Sequence, residues 1–271
     1  MKKKKIRIKW KNIILFLFLI ICLMIFILCS IKIVKWYFDG RKTNKIINTV
    51  SDEVNINEIS EGETINPPEN KEDPYWDYIK MNLIDVDFND LKKKNKEVKG
   101  WIQVNGTNIN YPFVQTNDNE YYLTHSFNKT YNDAGWIFMD YRNNYTDFDK
   151  NTILYGHGRL DGTMFSSLKN ILKSSWYKNK DNYVIKLSTE KENTLWQVFS
   201  VYKLPTTSDY IQTTFYSDNE YEKFLETMIS RSAFNFNTNV NTNDKILTLS
   251  TCYNDKEKVV MQAKLIKLSK R

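Results

Sequence analysis

Two residue types in this chain can do nucleophilic or acid–base chemistry near neutral pH, and the 271 residues contain only three cysteines and two histidines. Cys22 and Cys29 lie in a long apolar run near the N-terminus, where a cysteine behaves as a small apolar side chain. Cys252 is the third, so no partner is left outside that run for an intramolecular disulfide. It is therefore a buried core cysteine, an intermolecular link or a reactive nucleophile.

A cysteine nucleophile needs a base beside it, and His125 and His157 are the two candidates. His157 follows the apolar run 152–155 and is flanked by Gly156 and Gly158, which is typical of a ring presented at the end of a strand with backbone room beside it. His125 lies in a tyrosine-rich segment that favours local packing or capping. We expect His157 to be the partner of the thiol.

Cys252 ends a second strand-like run, residues 246–251, whose β-branched and apolar content predicts a central strand leading the thiol to a barrel rim. Another strand-like run begins at Lys258 after a short loop, which predicts that Lys258 returns close to Cys252. A cation there would stabilise a thiolate and a developing oxyanion. The alternatives are an ordinary solvated lysine and an inert core cysteine.

The positive net charge of +7 is concentrated at one end of the chain. Residues 1–45 contain 12 bases and one acid, whereas the rest of the chain contains 27 bases and 31 acids. No basic field is therefore left in the remaining 226 residues to attract phosphates, which argues against nucleic acid as a partner.

Residues 13–31 carry no charge and, at 1.5 Å per residue, span roughly the 30 Å hydrocarbon core of a bilayer. A cleaved signal peptide is the alternative, but it would have a shorter apolar region and small residues at a cleavage site, which 27–34 does not offer. Seven bases precede the apolar run and five follow it, which favours a cytoplasmic N-terminus. We predict a cytoplasmic tail at 1–12, a transmembrane signal anchor at 13–34, a stalk or linker at 35–73 and a folded domain at 74–271 outside the cytoplasm.

Short β-like runs dominate the sequence after residue 74, and about eight of them with few helices predict a mainly β fold, a single barrel or sandwich. Asp87 and Gly100 stand where the caps of a three-turn helix would be. Ser217 and Glu220 form a capping box before a second, strongly amphipathic helix. The predicted strands are 101–104, 109–114, 135–140, 152–156, 184–187, 195–204, 245–251 and 258–267.

Several separate motifs, in the expected order, resemble those of the class B sortases. They are GWI at 100–102, YP at 111–112, YGH at 155–157, DGTMF at 161–165 and TLSTC at 248–252. Sortases are cysteine transpeptidases that attach surface proteins to the cell wall of Gram-positive bacteria. The resemblance covers about 74–267 and implies an eight-stranded β-barrel with N-terminal helices and a helix before the strand that carries the cysteine, so that 74–271 would be the catalytic domain.

The resemblance also implies a mechanism and partners. Cys252 would attack the Thr carbonyl of a Pro-X-Thr-type sorting motif at the C-terminus of a surface protein, giving a thioester acyl-enzyme. His157 would protonate the leaving amine and deprotonate the incoming one, which belongs to a peptidoglycan precursor or cross-bridge. Ser250 would help to position the substrate, unless it is a plain strand residue. No cofactor and no metal are implied.

One position departs from the family pattern. The family has an arginine shortly after the cysteine, and counting back from Ala263 in the matching Ala-Lys-Leu places Lys258 there. Lysine keeps the charge but lacks the planar fork that binds carbonyl groups bidentately. Arg159 and Arg231 are the other residues that could supply a guanidinium, although neither matches the family position.

Two rival functions fit less well. A papain-like enzyme would place its cysteine before its histidine, and an L,D-transpeptidase would have a glycine directly before the cysteine, where Thr251 stands. A membrane-tethered barrel that binds cell-wall peptides without turnover, disabled by the change to Lys258, is the alternative from a different functional class. The dependence of Cys252 reactivity on His157 discriminates between these readings.

Overall fold

A long helix opens the described part of the chain. The computed structural model describes residues 10–254 and 256–271, so most of the basic tail predicted at 1–12 lies outside the described residues. Helix α1 (Trp10–Asp52) contains a stretch that is long and apolar enough to cross a membrane, by length and composition. The chain forms two compact units, one ending at Lys42 and one running from Thr43 to Arg271.

Residues 43–73, which the polar sequence assigned to a stalk, belong to the second of these units. Val50, near the end of α1, is only 2% exposed and is part of the core. Strand β1 (Ile56–Ile59) pairs antiparallel with β3 (Leu83–Val86), and β2 (Glu63–Thr64) pairs with the last strand. Isolated apolar residues of this stretch pack against the core. The polar composition of the stretch as a whole hid this packing from the sequence-based prediction.

Eight strands close into a barrel, as predicted. They are β4 (Val98–Val104), β5 (Asn110–Val114), β6 (Phe138–Met139), β7 (Asn151–Tyr155), β8 (Val184–Thr189), β9 (Glu192–Pro205), β10 (Ile246–Cys252) and β11 (Glu257–Lys270). Their order around the barrel is β4-β5-β6-β7-β10-β11-β9-β8, and β8 pairs with β4 to close it. The pairs β5–β6 and β7–β10 are parallel, and the other neighbours are antiparallel.

Three of the core tryptophans are at least 99% buried, and each of these three donates its indole N–H to an acceptor. Trp101 donates to Asn110 Oδ1 at 2.6 Å, and Trp136 donates to a main-chain carbonyl at 2.9 Å. Trp196 donates to Thr194 Oγ1 at 2.8 Å. Burial of one such ring contributes about 4–6 kcal/mol of transfer free energy, so these rings anchor the strands that carry them.

Helices decorate the barrel and fill its connections. They are α2 (Tyr75–Tyr78), α3 (Asn89–Lys94), α4 (Ser174–Tyr177) and α5 (Asp218–Ser230), with 3-10 turns at Tyr121–Leu123, Ser166–Leu172, Lys180–Asn182 and Asp209–Ile211. The N-cap predicted before α5 is confirmed, because Ser217 Oγ accepts a hydrogen bond from the Glu220 N–H at 3.2 Å, while the Glu220 carboxylate accepts from the Tyr216 N–H at 2.7 Å, one residue before the N-cap. Helix α5 precedes β10 in the chain and packs its apolar face against the barrel.

The helix predicted between Asp87 and Gly100 is shorter than three turns. Asp87 Oδ1 accepts a hydrogen bond from the Asn89 N–H at 2.9 Å, at the predicted beginning of α3. The helix ends before Asn95, whose buried side chain donates to the Tyr122 hydroxyl. Gly100 is not a cap but lies in β4, where a Cβ would come within 2.4 Å of an aromatic ring on β5.

Candidate active site

The parallel pairing of β7 with β10 brings the two predicted site segments together. Because the carboxyl ends of neighbouring parallel strands meet at one edge of a sheet, the residues that follow β7 lie beside the end of β10. His157 follows β7, and Cys252 is the last residue of β10. Thr251 Oγ1 donates to the Gly156 carbonyl at 2.7 Å and fixes the two segments to each other.

Gly158 allows these segments to approach closely. A Cβ at this position would lie 2.2 Å from the Cys252 carbonyl oxygen and 3.1 Å from Thr251 Oγ1. Any side chain here would therefore force the histidine-bearing segment away from the cysteine-bearing strand. Gly158 is thus required for the close approach between the segment that carries His157 and the end of β10.

Lys258 lies against the thiol, as the short loop between the strands predicted. Cys252 and Lys258 are direct partners across the antiparallel β10–β11 pair. Lys258 Nζ donates to Cys252 Sγ at 2.9 Å, and both residues are half-buried. An ammonium group at this distance is placed to stabilise negative charge that develops at the sulfur or on a neighbouring oxygen.

His157 is oriented by the main chain of a 3-10 turn. Its Nε2 lies 2.8 Å from the Leu123 carbonyl oxygen. A carbonyl oxygen only accepts hydrogen bonds, so Nε2 carries the ring proton in this contact. Gly135 borders the contact: its φ is +59°, and a Cβ there would lie 2.4 Å from the Tyr122 carbonyl oxygen, 2.8 Å from the Leu123 oxygen and 3.0 Å from His157 Cδ2.

A cavity of about 320 Å³ opens beside these three side chains. Its lining combines the polar groups of His157, Cys252 and Lys258 with apolar side chains that include Leu123 and Ile211. This combination of a mainly apolar wall and a few convergent polar groups is typical of small-molecule and peptide sites.

Ser250 also lines the cavity, but its hydroxyl is already engaged. The residue is 4% exposed, and its Oγ lies 2.9 Å from the Tyr210 hydroxyl. Burial raises the pKa of the Tyr210 phenol, which keeps it neutral and able to donate. Ser250 therefore fixes the position of a tyrosine in the cavity wall.

The structure places the two alternative arginines elsewhere. Arg159 donates to Asp161 Oδ2 through Nε at 2.9 Å and Nη2 at 2.6 Å. Arg231 pairs with Asp209 at the end of α5. Neither arginine is among the described residues that line the cavity. Lys258 is the cation that the structure places beside the thiol.

His125 packs locally, as its sequence surroundings suggested. Its ring stacks on Tyr121 with the centroids 4.0 Å apart and an angle of 8° between the planes. Its Nδ1 lies 2.8 Å from the Tyr121 carbonyl oxygen. The structure therefore leaves His157 as the histidine in the cavity.

Sequence reasoning missed a buried carboxylate behind the cavity wall. The Asp140 side chain is fully buried, and its Oδ2 accepts hydrogen bonds from Arg142 Nη2 at 2.7 Å, the Tyr155 hydroxyl at 2.8 Å and the Asn119 amide at 3.0 Å. Tyr155 and Asn119 both line the cavity. Burial acts to raise the pKa of Asp140, but its hydrogen bonds, first those from Arg142, outweigh burial and hold that pKa below the ordinary value.

Arg142 carries this network to the opposite wall, because its Nη2 also donates to the Ile211 carbonyl at 2.9 Å. An aspartate after a strand followed two residues later by an arginine carries no distinguishing signal in the sequence. Among residues 10–254 and 256–271, no group of three or more His, Cys, Asp and Glu side chains is arranged to hold a metal ion.

The barrel and this site match known proteins. The family model of the Sortase domain matches residues 102–266. Sortase B of Staphylococcus aureus is 41% identical over 186 residues, which cover 67% of this chain and 75% of that protein. Sortase B of Listeria monocytogenes is 37% identical over 188 residues, which cover 66% of this chain and 74% of that protein.

Solved structures agree. A Staphylococcus aureus sortase B–substrate complex is 40% identical with a TM-score of 0.62, covering 66% of this chain and 84% of that chain. Sortase B from Bacillus anthracis in complex with AAEK1 is 33% identical with a TM-score of 0.68, covering 85% of this chain and 99% of that chain. The chain therefore belongs to the sortase family of cysteine transpeptidases, and the relatives that it resembles are of class B.

Proposed function

We propose that the protein is a membrane-anchored transpeptidase that cleaves a Pro-X-Thr-type sorting motif after the threonine and transfers the surface protein to a cell-wall amine. The observation that carries this proposal is the 2.9 Å contact between Cys252 Sγ and Lys258 Nζ at a cavity that His157 also lines. A thiol beside a cation and an imidazole is the arrangement that nucleophilic cysteine chemistry needs.

In the first half-reaction, the Cys252 thiolate attacks the threonine carbonyl carbon, and negative charge develops on the carbonyl oxygen. Lys258 stabilises that charge, as it stabilises the thiolate before attack. His157 gives a proton to the departing amine as the C–N bond breaks. The product is a thioester between the threonine and Cys252.

In the second half-reaction, an amine of a peptidoglycan precursor or cross-bridge attacks the thioester. His157 now takes a proton from that amine, and the sulfur leaves as a thiolate beside Lys258. A new peptide bond joins the surface protein to the cell wall, and the enzyme returns to its starting state.

The walls of the cavity provide the binding surface for the motif. Apolar side chains such as Phe138 and Ile211 suit the proline and its neighbour, and the Ser250–Tyr210 pair positions the wall that they contact. A relative of this chain, the sortase B of Staphylococcus aureus, is solved as a complex with its substrate, which supports a peptide ligand here.

The anchor completes the proposal. Residues 13–34, within α1, hold the protein in the cell membrane, with the N-terminus in the cytoplasm and the catalytic domain 74–271 outside. The second compact unit begins at Thr43, so residues 43–73 accompany that domain.

The experiment uses the full chain in detergent and a small library of Pro-X-Thr-Gly and Pro-X-Thr-Asn peptides, with the intact mass of the protein as the readout. We expect an adduct that Cys252→Ala abolishes and His157→Ala strongly reduces. Cys22→Ser and Cys29→Ser in all samples remove the other free thiols. No adduct with any peptide, while a small alkylating reagent still labels Cys252, would overturn the proposal in favour of a binding barrel without turnover.

A further inference from the structure

Lysine and arginine differ at this site in more than geometry. An arginine guanidinium stays charged and is not a nucleophile, whereas a lysine amine becomes one when it loses its proton. We propose that Lys258 is also an internal acceptor, which takes the acyl group from Cys252 and leaves the sorting peptide joined to the enzyme by an isopeptide bond. This inference rests on the proposed function, because the acyl group comes from the thioester.

The geometry places the amine at the thioester before any acceptor arrives. Lys258 is the cross-strand partner of Cys252, and the next pairs along the ladder, Thr251 with Val259 and Ser250 with Val260, keep that register. The carbonyl carbon of the acyl group is bonded directly to Sγ. The nitrogen 2.9 Å from Sγ is therefore a near neighbour of the atom to which that carbon is bonded, and a reacting nitrogen and carbon need to approach to roughly 3–3.5 Å.

Two other lysines lie around the site, but their amines are held elsewhere. Lys169 Nζ donates to the Gly158 carbonyl at 3.0 Å, and Lys203 Nζ pairs with Glu257 at 2.8 Å. Both cations lie over the ring of Tyr253, next to the nucleophile in sequence. They are natural internal comparators, because they share the neighbourhood of Cys252 without contacting its sulfur.

The step balances without a further reagent. The neutral amine of Lys258 attacks the carbonyl carbon, a C–N bond forms, and the C–S bond breaks. The sulfur leaves as a thiolate and takes up the proton that the nitrogen loses, with His157 in the cavity to relay it. The products are an amide on Lys258 and a free thiol on Cys252.

Proximity compensates for the small amount of free amine. The unprotonated form of an amine is the reactive one, and its fraction grows as the pH is raised. Well-oriented intramolecular reactions have effective molarities on the order of 10⁵ M, which far exceeds the concentration of any external amine. An amide is also more stable than a thioester, so the transfer does not reverse.

The test uses the full chain in detergent near pH 8.4, incubated without acceptor amine and with whichever library peptide gives the adduct. Neutral hydroxylamine then cleaves thioesters and spares amides. We expect a residual adduct that peptide mapping places on Lys258, at least about tenfold above Lys169 or Lys203. Its fraction should not change when the protein is diluted tenfold, since the transfer is intramolecular.

Two variants serve as controls. Lys258→Arg removes the amine, so whatever adduct this variant forms should be released completely by hydroxylamine. Cys252→Ala should show no adduct on Lys258, because the amine reacts only with the thioester.

Complete release from the unmodified enzyme would overturn the internal acceptor and leave the transpeptidase proposal intact. The same conclusion would follow from residual label spread evenly over Lys169 and Lys203. Absence of the thioester itself would overturn the proposed function and, with it, this inference.

Discussion

The Nε2 atom of His157 donates to the Leu123 carbonyl oxygen at 2.8 Å, so a main-chain group orients the imidazole. In Ser-His-Asp enzymes, a carboxylate performs this task by fixing the tautomer and the ring orientation. A carbonyl fixes both without adding a charge to the site. In the proposed mechanism, Nδ1 is therefore the nitrogen that exchanges protons with substrate.

Gly135→Ala should disturb this contact, because the new Cβ would push against the Tyr122 and Leu123 carbonyl oxygens of the turn and against the His157 ring. We expect kcat to fall by about one to two orders of magnitude while the KM for the peptide changes little, since proton transfer suffers more than binding. The ¹⁵N chemical shifts of His157 should change from the Nε2–H tautomer to a mixture.

Gly162→Ala is the matched control. Gly162 also has a positive φ, +82°, but no atom lies within 4 Å of its added Cβ. It carries the same backbone penalty, on the order of 1 kcal/mol, without touching His157. Equal loss of kcat in both variants would show that strain, and not the position of the imidazole, is responsible.

Lys258→Ala should slow formation of the acyl-enzyme about a hundredfold, equivalent to about 3 kcal/mol, if the lysine acts as one oxyanion donor. Lys258→Arg should retain most of the rate, because the charge remains. Rapid-quench mass spectrometry of the thioester measures both rates. An unimpaired Lys258→Ala would remove Lys258 from the mechanism.

Ser250→Ala should act on binding through Tyr210. Loss of one neutral buried hydrogen bond costs about 1 kcal/mol, which corresponds to a KM about fivefold higher. Tyr210→Phe removes the same hydrogen bond from the other side. The KM of the double variant should therefore be no higher than the higher of the two single-variant KM values. Additive effects in this cycle would mean that each residue contacts the substrate separately.

Arg142→Ala should destabilise the fold by about 2 kcal/mol at pH 7, because the buried Asp140 carboxylate loses its cation and keeps three hydrogen bonds, from the Tyr155 hydroxyl, the Asn119 amide and the main-chain N–H of residue 142. The pKa of Asp140 is depressed in the native protein, so its contribution is present above the unfolded value of 3.8 and is lost as pH falls through the lower folded value. The stability gap between the two proteins should therefore shrink below about pH 4.

Thermal unfolding of the full chain in detergent at pH 7, 5 and 3 measures this gap. Lys80→Ala is the control, since its ion pair with Asp77 is largely exposed and should contribute little at any pH. A constant gap between native protein and Arg142→Ala across these pH values would contradict the assigned role of Asp140.

The sequence predicted the parts of the fold that have a strong local signature. The capping box at Ser217 located α5, and the apolar runs before His157 and Cys252 located β7 and β10. Their meeting at one edge follows from the parallel pairing of β7 with β10, which the sequence does not state and the structure shows. Lys258 was placed correctly because a short loop leaves a returning strand few alternatives.

The parts that escaped prediction depend on contacts distant in sequence. Asp140 is a site residue through Arg142, Tyr155 and Asn119, and no periodic pattern links these positions. Strands β1 and β2 are so short that their polar neighbours hid them. Helix α3 stops early because Asn95 bonds to Tyr122, whose position only the folded barrel determines.

The β10–β11 hairpin carries both the sulfur and the cation, whereas the imidazole comes from a strand far earlier in the chain. The proposed nucleophile and the cation beside it thus lie on one contiguous hairpin, which can be exchanged without changing the rest of the barrel. A graft of this hairpin alone would transplant the electrostatic character of the thiol, while the acid–base partner of the host stays in place.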